Sequence, residues 1–108
     1  MAHFHLIERD DGTFGFELRT PDGSVVLAGI AMYPSRVQAI ADVAQVRARS
    51  LDSAHFRMLD TDDGHAFELL DEEGKAFARS PFWPDLGERA DRLRSCRMHA
   101  IGAPLRMG

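Results

Sequence analysis

Short stretches that alternate hydrophobic and polar residues, separated by Gly-containing turns, recur along the chain. Residues 13–20 alternate cleanly, with Phe14, Phe16 and Leu18 on one side and small or polar residues on the other. A period of two residues is typical of a β-strand with one buried face. The same reasoning predicts strands at residues 3–9, 24–31, 55–61, 65–70 and 75–80, with glycine turns between them.

Each group of three strands is followed by a predicted helix that begins at a capping box. Ser35 stands three residues before Gln38, and Asp85 stands three residues before Glu88. Such pairs satisfy the free backbone N–H groups of a first helical turn. Apolar residues then recur every three or four positions, as expected for helices packed on a core. In the second helix these are Leu86, Ala90, Leu93 and Cys96.

The two halves of the chain align with each other. Residues 16–18 and 67–69 both read Phe-Glu-Leu, and similar matches extend over most of each half. Self-similarity at a fixed period is the signature of repeated units. We therefore predict two tandem β-β-β-α repeats, residues 3–49 and 55–98, followed by a frayed tail at 99–108.

The predicted fold class is α+β. Together the repeats are expected to form one antiparallel sheet with two helices, in a single domain spanning residues 1–108 with internal pseudo-two-fold symmetry. A chain of this length is one domain by the usual size prior.

Composition narrows the classes of function. The 108 residues carry a net charge of −4, which disfavours nonspecific binding to nucleic acid or to an anionic membrane. No stretch approaches the roughly 20 apolar residues of a membrane span. The first residues lack the features of a secretory signal, and a single cysteine, Cys96, permits no internal disulfide. We therefore expect a cytoplasmic protein.

Residues 12–26 read GTFGFELRTPDGSVV and are followed by Tyr33 and by a helix headed by Ser35. This order of glycines, alternating aromatic residues and turn resembles the YegP-like family of tandem-repeat bacterial and archaeal proteins. The resemblance covers residues 3–98, although Ala41-Asp42-Val43 stands where the family usually has Asn-Gly-Ile. It implies an antiparallel sheet packed on two helices, and it implies no activity, cofactor or catalytic residue.

Histidines are the first candidate site. His3 and His5 share one face of the first strand, and His55 occupies the place of His3 in the second half. If the two first strands lay side by side, three imidazoles could converge to bind zinc, nickel or copper. No carboxylate follows at ligand spacing, so the interpretation of solvated histidines is favoured and no cofactor is predicted.

Charged residues offer two further candidates. The second helix carries Arg89, Arg92, Arg94 and Arg97, which could contact phosphates. Acidic residues one turn away are expected to pair with the first three, as Asp85 with Arg89. Arg97 and Arg106 are left unpaired, so binding to nucleic acid stays an alternative. Glu17 and Glu68 hold equivalent outward positions on strands. Solvated charge is a simpler interpretation of these two carboxylates than acid–base chemistry. Cys96 lies on the apolar stripe of its helix and is predicted to be an inert core thiol.

The third strand favours self-association. Val26, Ala28 and Ile30 would face one way and Val25, Leu27 and Gly29 the other, so both faces are apolar and both need cover. Either the other repeat or a second subunit would provide it. The leading hypothesis is a non-enzymatic binding or assembly module that forms a homodimer through Val26, Ala28 and Ile30. The alternatives are a metal- or ligand-dependent enzyme using His3, His5 and His55, and nucleic-acid binding through the second helix.

Overall fold

The computed structural model describes residues 1–107, which have the predicted mixed α+β fold with both predicted helices and seven strands, one more than the six predicted. A 3-10 turn at Ser53–His55 precedes the fourth strand. No helix among these residues is long and apolar enough to cross a membrane. In chain order the elements are β1 (His3–Glu8), β2 (Phe14–Arg19), β3 (Val25–Gly29), α1 (Arg36–Arg49), β4 (Phe56–Thr61), β5 (Gly64–Leu70), β6 (Ala76–Arg79), α2 (Leu86–Ala100) and β7 (Leu105–Met107).

The strands form one sheet in the order β4-β5-β6-β3-β2-β1-β7. All neighbours are antiparallel except β1 and β7, which run parallel. The two halves of the chain meet in the middle of the sheet, where Ala28 of β3 pairs with Arg79 of β6 and Gly29 pairs with Ala78. The first strand of each half therefore lies far from the centre, and β4 forms one edge of the sheet.

Glycines with positive φ turn the hairpins where the sequence predicted them. Gly12 has φ of 86° and Gly64 has φ of 124°, values that residues with a Cβ rarely adopt. A Cβ on Gly64 would also lie 2.5 Å from the backbone oxygen of Trp83, so both conformation and space require glycine there.

A bulge in β3 overturns the predicted alternation of the third strand. Leu18 of β2 pairs with Leu27, and Arg19 pairs with Val25, so Val26 is an extra residue without a partner. Val26 and Leu27 are consequently both buried in the one core. The expectation of two separate apolar faces on this strand was wrong, because strict alternation does not hold across a bulge.

The β6 strand has the same irregularity at the corresponding place. Leu69 pairs with Ala78 and Leu70 pairs with Ala76, which leaves Phe77 as the extra residue. Phe77 and Ala78 are both buried. Each half thus sends two consecutive residues of its third strand into the core.

The core lies between one face of the sheet and both helices. Fully buried strand residues meet fully buried helix residues in a single cluster. From the sheet come Phe4, Phe16, Leu18, Val26, Leu27, Phe67, Leu69 and Ala78, and from the helices come Ala39, Val43, Val46, Cys96 and Ala100. Both helices therefore cover the same face, and Cys96 is a core residue as predicted.

The predicted frayed tail is wrong, because residues 105–107 form β7 at the edge beside β1. Phe4 pairs with Leu105 in parallel register, and the Phe4 N–H donates to the carbonyl oxygen of Pro104 at 2.8 Å. Leu105 also packs against the core. Three residues are too few to show a periodic pattern, so the sequence offered no signal for this strand.

Candidate binding surface on the open face of the sheet

The sheet face away from the helices carries a row of mostly charged side chains. Residues that pair across neighbouring strands point to the same face, so one register line can be followed through all seven strands. We call this side the open face. From β7 to β4 the row is Arg106, His5, Glu17, Ala28, Arg79, Glu68 and Arg57.

Glu68 is held between two arginines from the strands on either side. Arg57 donates to Oε1 at 3.1 Å from Nε and 2.8 Å from Nη2. Arg79 donates to Oε2 at 3.0 Å from Nε and 2.7 Å from Nη2. In each pair two N–H groups of one arginine donate to a single carboxylate oxygen, so Glu68 accepts four charge-assisted hydrogen bonds. The Glu68 side chain is only 3% exposed, whereas those of Arg57 and Arg79 are 53% and 45% exposed.

Two opposing effects act on the acidity of Glu68. Burial alone would raise the pKa of its carboxyl, because it disfavours the charged form. The hydrogen bonds and positive charges of Arg57 and Arg79 outweigh burial and hold the pKa below its usual range. Glu68 is therefore ionised at neutral pH, and the three side chains together carry one net positive charge.

The first half of the chain has a weaker version of this arrangement. Glu17 receives one arginine, Arg19 on the same strand, at 2.7 Å, and the Glu17 side chain is 23% exposed. His5 and Ala28 pair with Glu17 at the places where Arg57 and Arg79 pair with Glu68. The prediction of a solvated carboxylate was therefore wrong for Glu68, and Glu17 is only partly exposed.

Positive charge exceeds negative charge on the open face. Besides the row and Arg19, the guanidinium of Arg9 lies over Gly15, where an added Cβ would meet its Nη2 at 2.4 Å. The strands and this side chain thus place five arginines and two glutamates on the open face, whereas the whole chain carries a net charge of −4. These positions therefore carry a net positive charge in a chain that is acidic as a whole.

Comparison with known proteins supports the fold. No protein-family model and no curated protein matches the chain. The solution structure of YegP from E. coli, described as a protein of unknown function, is similar with a TM-score of 0.90 and 19% identity, over 99% of this chain and 92% of that one. A UPF0339 protein of Shewanella oneidensis is similar with a TM-score of 0.90 and 17% identity, over 98% and 90% of the two chains. The chain has the YegP-like fold. The resemblance seen in the sequence is confirmed at the level of the fold.

The YegP-like fold separates the three histidines that were predicted to converge. His3 and His5 are neighbours on β1, with ring centroids 6.1 Å apart. His55 lies in the 3-10 turn before β4, where its Nδ1 is 3.0 Å from the carbonyl oxygen of Arg49. Four strands separate β4 from β1, so the predicted convergence of three imidazoles was wrong. Among residues 1–107 no group of three or more His, Cys, Asp or Glu side chains is arranged to hold a metal ion.

The three residues predicted as a subunit interface also separate. Val26 is buried in the core beneath the helices, so it cannot contact another subunit. Ala28 lies on the open face, and Ile30, just beyond β3, is 44% exposed. Ala28 and Ile30 line a shallow groove of about 390 Å³ over the junction of β3 and β6, together with Arg79 and Pro81.

The arginines of α2 are engaged within the chain. Arg89 donates to the carbonyl oxygen of Leu59 at 3.1 Å and to Asp60 at 2.7 Å, so its predicted pairing with Asp85 was wrong. Arg97 donates to two carbonyl oxygens that follow α1. The predicted pairs are present for the other two, with Arg92–Glu88 at 3.7 Å and Arg94–Asp91 at 3.0 Å.

Two further buried groups, Cys96 and Tyr33, have raised pKa values. Burial raises the pKa of the Cys96 thiol to about 12, which fits the predicted inert core residue. Tyr33 donates from its hydroxyl to Asp42 at 2.5 Å, and burial together with this carboxylate raises the pKa of Tyr33. Asp42 stands where the resembling family usually has Gly, a departure that the sequence showed without revealing Tyr33 as its partner.

Proposed function

We propose that the chain is a non-enzymatic protein-binding module whose open face binds an acidic segment of a partner. The observation that carries the proposal is the excess of arginine on that face of an otherwise acidic chain. Arg57 and Arg79 share one carboxylate and are about half exposed, so a second carboxylate could bind them without breaking the first pair. Complementary charge of this kind favours encounter with acidic partners and selects against basic ones.

The positions of the histidines do not support the enzymatic alternative. It required His3, His5 and His55 to share a site, and the sheet order places the third far from the first two. The buried titratable groups also fit structural roles better than catalysis, since Glu68 is fully paired and the Cys96 thiol is protonated at neutral pH.

Nucleic acid is a weaker candidate than an acidic protein segment. The α2 arginines named for that role are engaged in pairs or with carbonyl groups. Among residues 1–107 the strand positions on the open face hold no Phe, Tyr or Trp, so the stacking platform that single strands use is missing. Binding of single-stranded DNA in preference to an acidic polypeptide would contradict the proposal.

We also infer that the two halves are tandem repeats in one domain, related by a pseudo-two-fold axis between β3 and β6. Equal registers support this inference: Phe4 pairs with Leu18 as Phe56 pairs with Leu69. The bulges at Val26 and Phe77 fall at the same step of each register. A first repeat expressed alone should then dimerise through β3, and a monomeric folded repeat would argue against the axis.

The proposed function is tested by titrating the ¹⁵N-labelled chain with poly-L-glutamate at low salt. We expect amide shifts at open-face residues such as Glu17, Ala28 and Arg79, and a smaller response with poly-L-lysine. Arg79→Gln should weaken binding about three- to five-fold, the effect of one partly exposed ion pair. The control is Arg94→Gln on α2. Arg94 and its partner Asp91 are both exposed, and this variant should bind like the original chain. Equal losses in both variants would contradict the assignment of the open face.

A further inference from the structure

We infer that the free edge of β4 binds an extended acidic and apolar segment of a partner protein, which adds to the sheet as a parallel strand. The inference rests on the proposed function and names where the acidic segment lies and how its backbone is held. Strand addition to an exposed sheet edge is a general mode of peptide recognition. Three independent features of β4 support it: the exposed apolar side chain of Met58, outward backbone groups and an arginine at the edge.

The first feature is a difference between the two edges of the sheet. At one edge β7 covers β1, and Phe4 and Leu6 are 0% and 3% exposed. Phe56 and Met58 occupy the same register positions on β4, since they pair with Leu69 and Phe67 as Phe4 and Leu6 pair with Leu18 and Phe16. No strand of residues 1–107 lies beyond β4, and Met58 is 39% exposed. The core is therefore closed on one side and left open on the other.

The second feature is the direction of the backbone groups. In an antiparallel pair, alternate residues direct their N–H and C=O groups away from the neighbouring strand. On β5 the N–H and C=O of His65 and Phe67 bond to Trp83 and Ser80, on the side away from β4. Their partners on β4 are Asp60 and Met58, whose N–H and C=O groups therefore point to the free edge.

The same geometry holds β7 at the other edge. Phe4, which lies opposite Leu18, donates its N–H to Pro104 at 2.8 Å. The corresponding N–H of Phe56 is occupied by the carbonyl oxygen of Ser53. An added strand would therefore engage β4 from Met58 onward, with its first hydrogen bond to the Met58 N–H.

The third feature is charge, which specifies the occupant. Arg57 is the edge residue of the open-face row, and with Arg79 it shares a single carboxylate. A side chain of the added strand beside Arg57 should therefore be acidic, and the next, beside Met58 on the helix side, should be apolar. A second copy of β7 fits poorly, because its Arg106 would lie beside Arg57. The edge selects a partner other than this chain.

The experiment uses the full chain and a synthetic seven-residue peptide that alternates Glu and Val. A peptide alternating Lys and Val, with the same apolar residues, is the control. We expect the acidic peptide to bind and to slow hydrogen exchange of the Met58 and Asp60 amides by at least about ten-fold, because both amides become hydrogen-bonded. The basic peptide should have no such effect.

A proline at the free edge separates edge binding from binding to the open face. Met58→Pro removes an N–H that points away from β5, so the hairpin keeps its own hydrogen bonds, and edge strands tolerate proline in this position. The variant should bind the acidic peptide about five- to ten-fold more weakly, the effect of one lost backbone hydrogen bond. Met58→Val retains the N–H and should bind within about two-fold of the original chain.

Each outcome decides between the two proposals. Slowed exchange at Met58 and Asp60 together with the proline effect supports the added strand. Amide shifts on the open face with unchanged exchange at these two amides overturn the added strand and leave the proposed function standing. No shift with the acidic peptide or with poly-L-glutamate overturns both. If the proline variant does not fold, the exchange measurement on the original chain decides alone.

Discussion

Replacing Glu68 with glutamine tests whether the buried ion triad stabilises the fold. Removing one partner of a fully buried ion pair costs about 3–5 kcal/mol, since a charge is left without a partner. Here the charges left behind are Arg57 and Arg79, which are about half exposed and can be solvated by water. Glutamine also keeps the shape and can accept weaker hydrogen bonds. We therefore expect Glu68→Gln to lower the free energy of unfolding by about 2 kcal/mol at pH 7.

The assay is urea and thermal unfolding followed by circular dichroism. A loss of this size should lower the melting temperature by about 10 °C in a domain near 100 residues. Glu17→Gln is the matched control, because Glu17 occupies the equivalent position but has one arginine and more exposure. It should cost about 0.5 kcal/mol. Equal losses in the two variants, or no loss in Glu68→Gln, would refute the role assigned to the triad.

The contribution of Glu68 to stability should depend on pH. The folded-state pKa of Glu68 lies below its unfolded value, so its stabilisation is fully present above the unfolded value, about 4.3, and is lost as pH falls through the folded value. The difference in stability between the original chain and Glu68→Gln should therefore be constant from pH 7 to about pH 5 and shrink toward pH 3. A difference that does not change over this range would mean that the charge of Glu68 is not the cause.

The remaining predictions concern the core and the state of association. Val26→Asp should prevent folding, because it places an unpaired charge in the core. Ala28→Asp, on the open face beside Arg79, should remain folded. A folded Val26→Asp protein would contradict the position of the bulge. The original chain should sediment as a 12.0 kDa monomer at micromolar concentration, because Val26 of the predicted dimer interface is buried in the core. A stable dimer would contradict this prediction and would require a different interface. Cys96 should react with a thiol reagent at pH 8 only after denaturation, and rapid reaction in the native protein would contradict its burial.

Local patterns predicted most of the elements, and long-range arrangement accounts for the errors. Alternation and turn glycines such as Gly12 and Gly64 act within a few residues, so six strands and both helices could be read from them. The order of strands depends on which edges meet in space, and nothing in a single strand encodes that β3 pairs with β6. The convergence of His3 with His55 failed for this reason.

The candidate surface was partly visible in the sequence. Glu68 could be placed on an outward strand position, as could Arg57 by alternation. The burial of Glu68 could not be predicted, because it results from two arginines on different neighbouring strands closing over one carboxylate. The bulge at Phe77 also shifts the alternation of β6, so the outward position of Arg79 depends on a register that only the structure shows.

The central claim is that the open face and its β4 edge recognise an acidic extended segment. The most direct measurement is the amide shift map of the ¹⁵N-labelled chain during titration with the peptide that alternates Glu and Val. The account predicts saturable shifts concentrated on β4, β5 and β6 and centred on Arg57, Glu68 and Arg79, with little change in α1 or α2. Shifts confined to the helices, or equal shifts with the Lys and Val peptide, would contradict it.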